Sequence, residues 1–355
     1  MKNLLITVLI ILINFCGISA VFADATINAA SCSNTAIQTA INSISSSHSG
    51  KVTVQIPACS TTTWSSSGLT INMGSTSSPN FTNVTEFVLR GAGTTPDDVT
   101  KGSAKETNIG LAAVSSYTTG IQITGVAGKK WRISNFLYTG GPLNGVNNWI
   151  WIRGNTRPSN GGGFRIDHLD FYNFQPSSQS SRKINIECSS YGVIDHNTSY
   201  IESSQGRTGM FVSVGEGKGA PANQSWYRGI DVNSFDQIFV EDNDVRQITP
   251  MAQSMFADCV DGGRLVVRGN TIQNYYLGGH GADSVFRSCL SYIGYDNNFI
   301  LTDLVAGNAN PSFDLRDGTH IMYDNTITET RGGVPVTNTM WGNPIYMRDY
   351  RSAFG

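Results

Sequence analysis

The sequence predicts an all-β fold, a parallel β-helix with one helix at its N-terminal end. Three observations predict it. Charged residues make up only 14% of the chain while glycine occurs 38 times, a composition typical of many short strands joined by tight turns. One amphipathic helix near the start is followed only by short apolar runs. Several of these runs end on an asparagine that recurs at nearly constant intervals.

The repeat is measured on the asparagine that follows each strand, or on its counterpart. These positions are Phe136, Leu169, Asn197, Asn243, Asn270, Asn297 and Asn325, at intervals of 33, 28, 46, 27, 27 and 28 residues. Such spacing is the signature of a solenoid, whose units bury their apolar faces against their neighbours. The L-x-x-L-x-L pattern of leucine-rich repeats is absent, and a propeller blade would need about 40–45 residues.

One coil of a parallel β-helix fits a unit of this length. Equivalent residues of adjacent coils then lie about 4.8 Å apart. We expect the asparagine side chains to hydrogen-bond along the axis and the asparagines themselves to occupy the left-handed corners.

The N-terminal region holds a leader and the helix. Residues 1–23 combine Lys2, an apolar run and Val21-Phe22-Ala23, which predicts a secretory signal peptide. A transmembrane anchor is the alternative, disfavoured by the polar Asn14. Residues 24–355 form the predicted β-helix domain, with a capping helix over 33–45 that begins at Ser33 or Asn34. We therefore expect a secreted protein, extracellular, periplasmic or at the cell surface, with no stable membrane insertion after cleavage.

Five cysteines follow the leader, so at least one stays unpaired. Cys32 and Cys59 flank the helix and the first strand and are the candidate disulfide of an oxidising compartment. Cys188, Cys259 and Cys289 are predicted as core positions, and all five as buried thiols is the alternative.

The charge balance argues against one class of partner. The chain without its leader has 23 basic and 26 acidic residues. No strongly basic surface of the kind that binds nucleic acid is expected. A weakly acidic protein of this kind can handle neutral sugars, or anionic sugars through a cation.

Two features suggest a carbohydrate ligand. The 46-residue interval predicts a loop insertion over 206–229, and loops on a rigid scaffold often border a binding groove. Its aromatic residues Trp226 and Tyr227, with Tyr276 elsewhere, are candidates for stacking on sugar rings.

Acidic and basic residues break the apolar pattern in three successive coils. Counted back from the asparagines, Asp258, Asp261, Arg287 and Arg316 are predicted to lie near one strand position, together with Asp314 and Asp317. Carboxylates on adjacent or next-but-one coils would be roughly 5–10 Å apart. That range includes the roughly 6.5–9.5 Å that admits a water in an inverting glycosidase.

The order of segments resembles a known superfamily. SNTAIQTAINSI, VTVQIPA, LRGAG and the asparagine repeats are similar to the single-stranded right-handed parallel β-helix proteins of the pectate lyase and polygalacturonase superfamily. The resemblance implies a right-handed solenoid whose helix covers the N-terminal sheet edge. No closing helix is visible at the C-terminal end, so either the last loops cap it or the sequence is truncated. A monomer or a homotrimer is expected.

Two short motifs extend the resemblance. Asp258-Cys-Val and Gly279-His-Gly resemble the D-D-C and G-H-G motifs of polygalacturonases, with Ala257 in place of the first aspartate. By this resemblance Asp258 is a catalytic carboxylate, His280 its supporting histidine and Arg316 a clamp for a substrate carboxylate.

A pectate lyase would need Ca²⁺ and an arginine base. Candidate ligands and bases are Asp236, Glu241, Asp242, Asp244, Asp258, Asp261, and Arg264, Arg268 and Arg287. Arg264 is also a candidate substrate-binding residue. Two Ile-Asp-His segments approach the lyase signature without its tryptophan, and we expect their histidines, His168 and His196, to pack at a corner.

Two functions are consistent with these observations. The first is a secreted polysaccharide lyase or glycoside hydrolase acting on a uronate-containing polysaccharide, with no cofactor or with Ca²⁺ if it is a lyase. The second is a non-catalytic β-helix for glycan binding, adhesion or envelope structure, because the same fold is used by enzymes and by non-catalytic proteins.

Overall fold

A computed structural model of the protein describes a solenoid of parallel strands. The described residues are 24–64, 68–93, 107–111, 118–139, 146–154, 163–173, 181–187, 191–201, 209–215, 237–248, 254–279, 289–302, 313–316, 318–331, 334–335 and 345–348. Within these ranges there are 27 strands and one helix, α1 (Asn34–Asn42). Every strand pairing is parallel except one near residue 335. No helix in the described ranges is long and apolar enough to cross a membrane.

Each coil contributes a strand to three faces, and faces 1 and 2 together form one 18-stranded sheet. Face 1 contains β1 (Ala25–Asn28), β2 (Gly50–Gln55), β5 (Val84–Arg90), the first halves of β8 (Lys130–Thr139) and β10 (Gly163–Tyr172), β12 (Tyr191–Asp195), β15 (Ile238–Glu241), β18 (Arg264–Arg268), β21 (Ser291–Tyr295) and β24 (Thr319–Tyr323). Face 2 contains the second halves of β8 and β10, with β3 (Cys59–Trp64), β6 (Thr107–Leu111), β13 (Thr198–Ile201), β16 (Asp244–Gln247), β19 (Thr271–Gln273), β22 (Asn298–Thr302), β25 (Thr326–Arg331) and the antiparallel β26 (Val334–Pro335).

Face 3 is a separate nine-stranded sheet. Its strands are β4 (Leu69–Asn72), β7 (Thr118–Gly125), β9 (Val146–Gly154), β11 (Arg182–Glu187), β14 (Met210–Gly215), β17 (Met255–Val260), β20 (Tyr276–Gly279), β23 (Phe313–Arg316) and β27 (Ile345–Arg348). In a repeating coil the chain runs from face 3 to face 1, passes the ladder position and continues into face 2.

The strand registers confirm the repeat predicted from the sequence. Leu169 pairs with Phe136, and the residues that follow Asn197, Asn243, Asn270, Asn297 and Asn325 pair in that order. The intervals counted along the sequence are therefore the lengths of the coils. The 46-residue interval is a single coil that contains extra chain.

The predicted asparagine ladder is present at the corner between faces 1 and 2. The side-chain amides of Asn197, Asn243, Asn270 and Asn297 each donate to Oδ1 of the next ladder asparagine, over 2.9–3.0 Å. The prediction about the backbone was wrong by one residue. The left-handed conformation belongs to the residue before each ladder position, such as His196 (φ 53°), Asp242 (φ 55°) and Asp296 (φ 55°).

The core is filled by inward-facing residues from all three faces. Columns of aliphatic residues such as Ile166, Ile194 and Val240 stack rung on rung. Lys183 of β11 is a lysine buried in this interior, with Nζ 5.9 Å from the ring centre of Tyr275. Burial lowers the pKa of Lys183 to about 7, because a low-dielectric surrounding disfavours the ammonium form.

The predicted capping helix is present over a shorter span. Ser33 is the N-cap, and its hydroxyl accepts a hydrogen bond from the N–H of Ala36 at 3.2 Å. Ile37 and Ile41 are fully buried, and the helix packs against β1, β2 and β4. The helix thus covers the first strands of the solenoid, as expected.

Two disulfides join adjacent parts of the solenoid. The predicted Cys32–Cys59 bond is present, and a second bond links Cys259 and Cys289. The prediction of these last two cysteines as core positions is confirmed, since both are fully buried, and the bond between them was not predicted from the sequence. Cys259 lies in β17 and Cys289 just before β21, so the bond ties two consecutive coils together. Cys188 lies outside the described residues.

One segment predicted as loop is a strand. Residues 206–229 were assigned to an insertion, but Met210–Gly215 within it form β14 of face 3. Phe211, Val212 and Val214 are fully buried in the core, which explains why this stretch is part of the coil. Met210–Gly215 is therefore not part of a loop, and residues 206–208 and 216–229 of the predicted insertion lie outside the described residues.

Candidate functional site

Face 3 carries a column of polar side chains between two columns of core residues. Asn185 pairs with Ser213, Ser213 with Asp258, Asp258 with Gly278, and Gly278 with Asp314. The positions on either side of this column are apolar core residues, such as Ala257 and Cys259 around Asp258. Because side chains alternate along a strand, the polar column lies on the opposite side of the sheet from the core residues. Its members are nevertheless buried, with Asp258 0% and Asp314 5% exposed.

Asp258 and Asp314 are separated by one rung that has no side chain. Each pairs directly with Gly278, which places their backbones two strand spacings apart, about 9.5 Å. The ring of Tyr276 leans over this position, since a Cβ on Gly278 would lie 2.8 Å from the Tyr276 ring. The gap between the two carboxylates is therefore bordered by an aromatic edge.

A cation and a hydroxyl accompany these carboxylates. Nη2 of Arg316, two residues after Asp314, lies 3.3 Å from an Asp314 carboxylate oxygen. The hydroxyl of Ser213 donates to Asp258 over 3.4 Å. Arg316 is 14% exposed, and a guanidinium carries five N–H donors in a planar fork.

The sequence-based register of this cluster was wrong by one residue. Asp261 was aligned with Arg316, but Asp261 lies in the turn after β17 with φ 47°, whereas Arg316 is still in the sheet. The turn before β18 has three residues and that before β24 has two, and counting back from the asparagine does not allow for this difference. Arg264 and Tyr276 are buried, as are Asp258, Asp261 and Asp314.

Several predicted site residues lie outside the described residues. They are the candidate catalytic residues His280 and Arg287, the acidic Asp317, the candidate sugar-stacking residues Trp226 and Tyr227, and the candidate calcium ligand Asp236. Their roles stay predictions.

The predicted calcium ligands that the structure describes are not brought together. Glu241 lies on face 1, where Arg268 donates to its carboxylate over 2.6 Å, whereas Asp258 lies on face 3. Asp244 is paired with Arg246 on face 2. No group of three or more histidine, cysteine, aspartate or glutamate side chains suited to a metal ion occurs in the described part of the chain.

Face 1 holds an arrangement that the sequence did not predict, two Arg–Asp–His sets on successive rungs. Nε and Nη2 of Arg132 donate hydrogen bonds to the two carboxylate oxygens of Asp167. Arg165 donates to Asp195 in the same way, over 2.9 and 2.6 Å. Nδ1 of the following histidine, His168 or His196, lies 2.7 Å from the same carboxylate.

The two histidines are at the corner, as predicted, but they are exposed. Their rings stack with centroids 5.5 Å apart and an angle of 4°. Because a carboxylate only accepts hydrogen bonds, each ring holds a proton on Nδ1. Burial of Asp167 raises the pKa of its carboxyl, but the hydrogen bonds from Arg132 and His168 outweigh it and hold that pKa below its ordinary value.

A groove lies beside these sets on the outside of face 1. Its volume is about 520 Å³. Its walls come from five consecutive rungs: Glu86, Lys130, Trp131, Arg132, Gly163, Phe164, Arg165, Tyr191, Gly192, Val193 and Phe239.

The chain is similar to a solved structure, but not to a protein family or a curated sequence. No protein-family model and no curated protein matches the chain. The crystal structure of an alginate lyase from Paenibacillus sp. str. FPU-7 is similar at 14% identity and a TM-score of 0.44, over 91% of this chain and 98% of that one. A likeness of this extent does not assign an activity.

Proposed function

We propose that the protein hydrolyses a uronate-containing polysaccharide on face 3, with Asp258 and Asp314 as its two carboxylates. The observation that carries the proposal is their shared register on either side of Gly278. Two strand spacings, about 9.5 Å, lie at the upper end of the roughly 6.5–9.5 Å between the carboxyl groups of inverting glycosidases. One carboxyl group would protonate the glycosidic oxygen while the other takes a proton from the attacking water.

Arg316 supports a uronate rather than a neutral sugar. Its guanidinium lies beside Asp314, and a planar guanidinium binds carboxylates through paired hydrogen bonds. A substrate carboxylate bound there would hold the sugar ring against the carboxylate pair. The edge of the Tyr276 ring, which is 4% exposed, lies at Gly278 between the two carboxylates.

Export belongs to the same proposal. Both disulfides are of the kind that persist in oxidising compartments, and the leader predicted over 1–23 gives the route. An extracellular or periplasmic enzyme meets polysaccharide where it is deposited. We expect the chain to act without a metal, since Glu241 and Asp258, two of the predicted calcium ligands, lie on different faces.

The test is a product analysis with the full chain lacking residues 1–23. Polygalacturonate, alginate and their carboxyl-reduced forms are incubated with calcium or with EDTA, and new reducing ends and unsaturated sugars are both measured. We expect reducing ends without unsaturated sugars, unaffected by EDTA, and their loss in Asp258→Asn and Asp314→Asn. Asp324→Asn, an exposed corner aspartate, is the control.

Three results would overturn this function. Unsaturated products that EDTA abolishes would mean calcium-dependent elimination. Activity that survives both substitutions would move the chemistry elsewhere. No product from any acidic polysaccharide, with binding retained, would leave the non-catalytic alternative.

A further inference from the structure

The groove on face 1 is shaped for an extended ligand that lies along the solenoid axis. Its walls come from β5, β8, β10, β12 and β15, which are consecutive in the sheet. Five strands at about 4.8 Å spacing give a length of roughly 19 Å. The volume of about 520 Å³ falls within the roughly 300–1,000 Å³ of small-molecule sites.

Two guanidinium groups form the polar wall of the groove. The side chains of Arg132 and Arg165 are 39% and 45% exposed, while their partners Asp167 and Asp195 are 0% and 4% exposed. The carboxylates are thus hidden behind the arginines. Each arginine donates one hydrogen bond from Nε and one from Nη2 to its aspartate. Its other N–H donors are available to a ligand.

The guanidinium groups are held in place before any ligand arrives. Asp167 is fixed by Arg132 on one side and by Nδ1 of His168 on the other, and Asp195 by Arg165 and His196 in the same way. A donor fixed in advance loses little side-chain entropy on binding. The histidines are therefore positioning residues that act through the aspartates.

The remaining wall is apolar and suits the face of a sugar ring. Val193 and Phe239 are half-buried neighbours in the sheet, and the guanidinium of Arg268 lies 5.3 Å from the Phe239 ring centre. Tyr191 leans over Gly163, where a Cβ would come within 2.9 Å of its ring. The absence of a side chain at Gly163 makes room for this aromatic ring at the groove wall.

The charges at the surface of the groove favour an anion. Lys130 is exposed at the rim beside the two arginines. The one acidic residue in the wall, Glu86, lies 3.8 Å from Lys51 outside it. A carboxylate entering the groove therefore meets N–H donors, while the buried aspartates are screened from it.

We propose that this groove binds a stretch of carboxylate-bearing sugar chain, as a second glycan site separate from face 3. The carboxylates contact Arg132, Arg165 and Lys130, and the sugar faces contact Val193, Phe239 and Tyr191. The site does not depend on the hydrolysis proposed for face 3. It would hold a polymer on one side of the solenoid while face 3 engages another stretch.

The test measures binding in a chain silenced by Asp258→Asn. A hexamer of galacturonic acid and its carboxyl-reduced neutral counterpart are titrated by calorimetry. Val193→Trp is added to fill the groove, and Lys130→Ala is a second variant that removes only a rim charge. Arg246→Gln, an exposed arginine on face 2 that is also paired with an aspartate, is the matched control.

We expect Val193→Trp to remove one class of binding site for the acidic hexamer. Lys130→Ala should lower the affinity of that site by about tenfold, as expected for the loss of one hydrogen bond to a charged group. Arg246→Gln should leave both unchanged. The proposal fails if the acidic hexamer binds equally to all variants, or if the neutral hexamer binds the groove as tightly. These outcomes are independent of whether reducing ends are formed, so the groove can fail while the hydrolysis stands, or the reverse.

Discussion

The side chain of Asn270 is hydrogen-bonded to Asn243 of the preceding coil and to Asn297 of the following coil. Its Oδ1 accepts from both the backbone N–H and the amide of Asn243, each at 3.0 Å. Its Nδ2 donates to Oδ1 of Asn297 and to two carbonyl oxygens, those of Val240 and Arg268, all at 2.9 Å. A single buried amide therefore satisfies polar groups of three successive coils.

Replacement of this amide should destabilise the solenoid strongly. Asn270→Ala leaves the N–H of Asn243 and the carbonyl of Val240 buried without their partner. We expect a loss of about 3 kcal/mol or more in the free energy of unfolding, since each orphaned buried group costs roughly 1–3 kcal/mol. Denaturant unfolding measures it. Asn298→Ala, at an exposed asparagine one residue beyond the next ladder position, is the control, and equal effects of the two would contradict the role of the ladder.

Arg316 should matter only for substrates that carry a carboxylate. Arg316→Gln removes the proposed clamp, so kcat/KM on polygalacturonate should fall by about tenfold or more, as expected for a hydrogen bond to a charged group. Turnover of the carboxyl-reduced polymer, if measurable, should change little. Arg246→Gln serves as control. A similar loss on both polymers would mean that Arg316 acts by holding Asp314 and not by binding substrate.

Asp167 should contribute to sensitivity toward acid. Its pKa is lowered in the folded protein, so its contribution to stability is present above the unfolded value of about 3.9. That contribution is lost as the pH falls through the lower folded value. Asp167→Asn should give a shallower fall in stability between about pH 5 and pH 2, measured by denaturant unfolding at each pH. Asp324→Asn should keep the wild-type slope, and a wild-type slope in Asp167→Asn would refute the prediction.

The two disulfides should differ in their access to reductant. Cys59 is partly exposed, whereas Cys259 and Cys289 are fully buried. Mild dithiothreitol on the folded protein, followed by alkylation and peptide mass spectrometry, should label Cys32 and Cys59 first. Labelling of Cys259 and Cys289 should require denaturant. Each bond closes a loop of similar length, 27 and 30 residues apart, so loop entropy predicts a similar stabilisation of roughly 3.5 kcal/mol for each.

The parts of the fold that repeat were predictable, because repetition makes spacing visible. The ladder from Asn197 to Asn325 follows from counting, since a coil has an integral length and like residues stack. The left-handed corner was misplaced because the preceding residue varies among histidine, aspartate and glycine and shows no repeated letter. The Cys259–Cys289 bond joins neighbouring coils at positions that do not pair in a sheet, so register alone does not indicate it.

The candidate sites were only partly predictable for a related reason. Asp258 and Asp314 were correctly assigned to one region, but their exact register depends on turn lengths that differ between coils. The pair Arg132 and Asp167 is separated by 35 residues and spans a coil of unusual length, so no short motif joins its members. The groove arises from Gly163 and the rings around it, a shape that no residue pattern encodes.

Lys183 should make the protein more stable as the pH rises. Its pKa is about 7 in the folded protein and about 10.4 in an unfolded chain. Between these values the unfolded chain takes up a proton that the folded one lacks, so stability rises with pH across that window. Lys183→Met removes the titration and fills the same space, and we expect it to raise the free energy of unfolding at pH 7 by about 3–5 kcal/mol. The gain should shrink as the pH approaches 10, because wild-type Lys183 is then neutral in both states. Lys130→Met, at an exposed lysine, should leave the pH dependence of the free energy of unfolding unchanged. If Lys183→Met raises that free energy equally at every pH, the gain comes from better packing and not from removal of a buried charge.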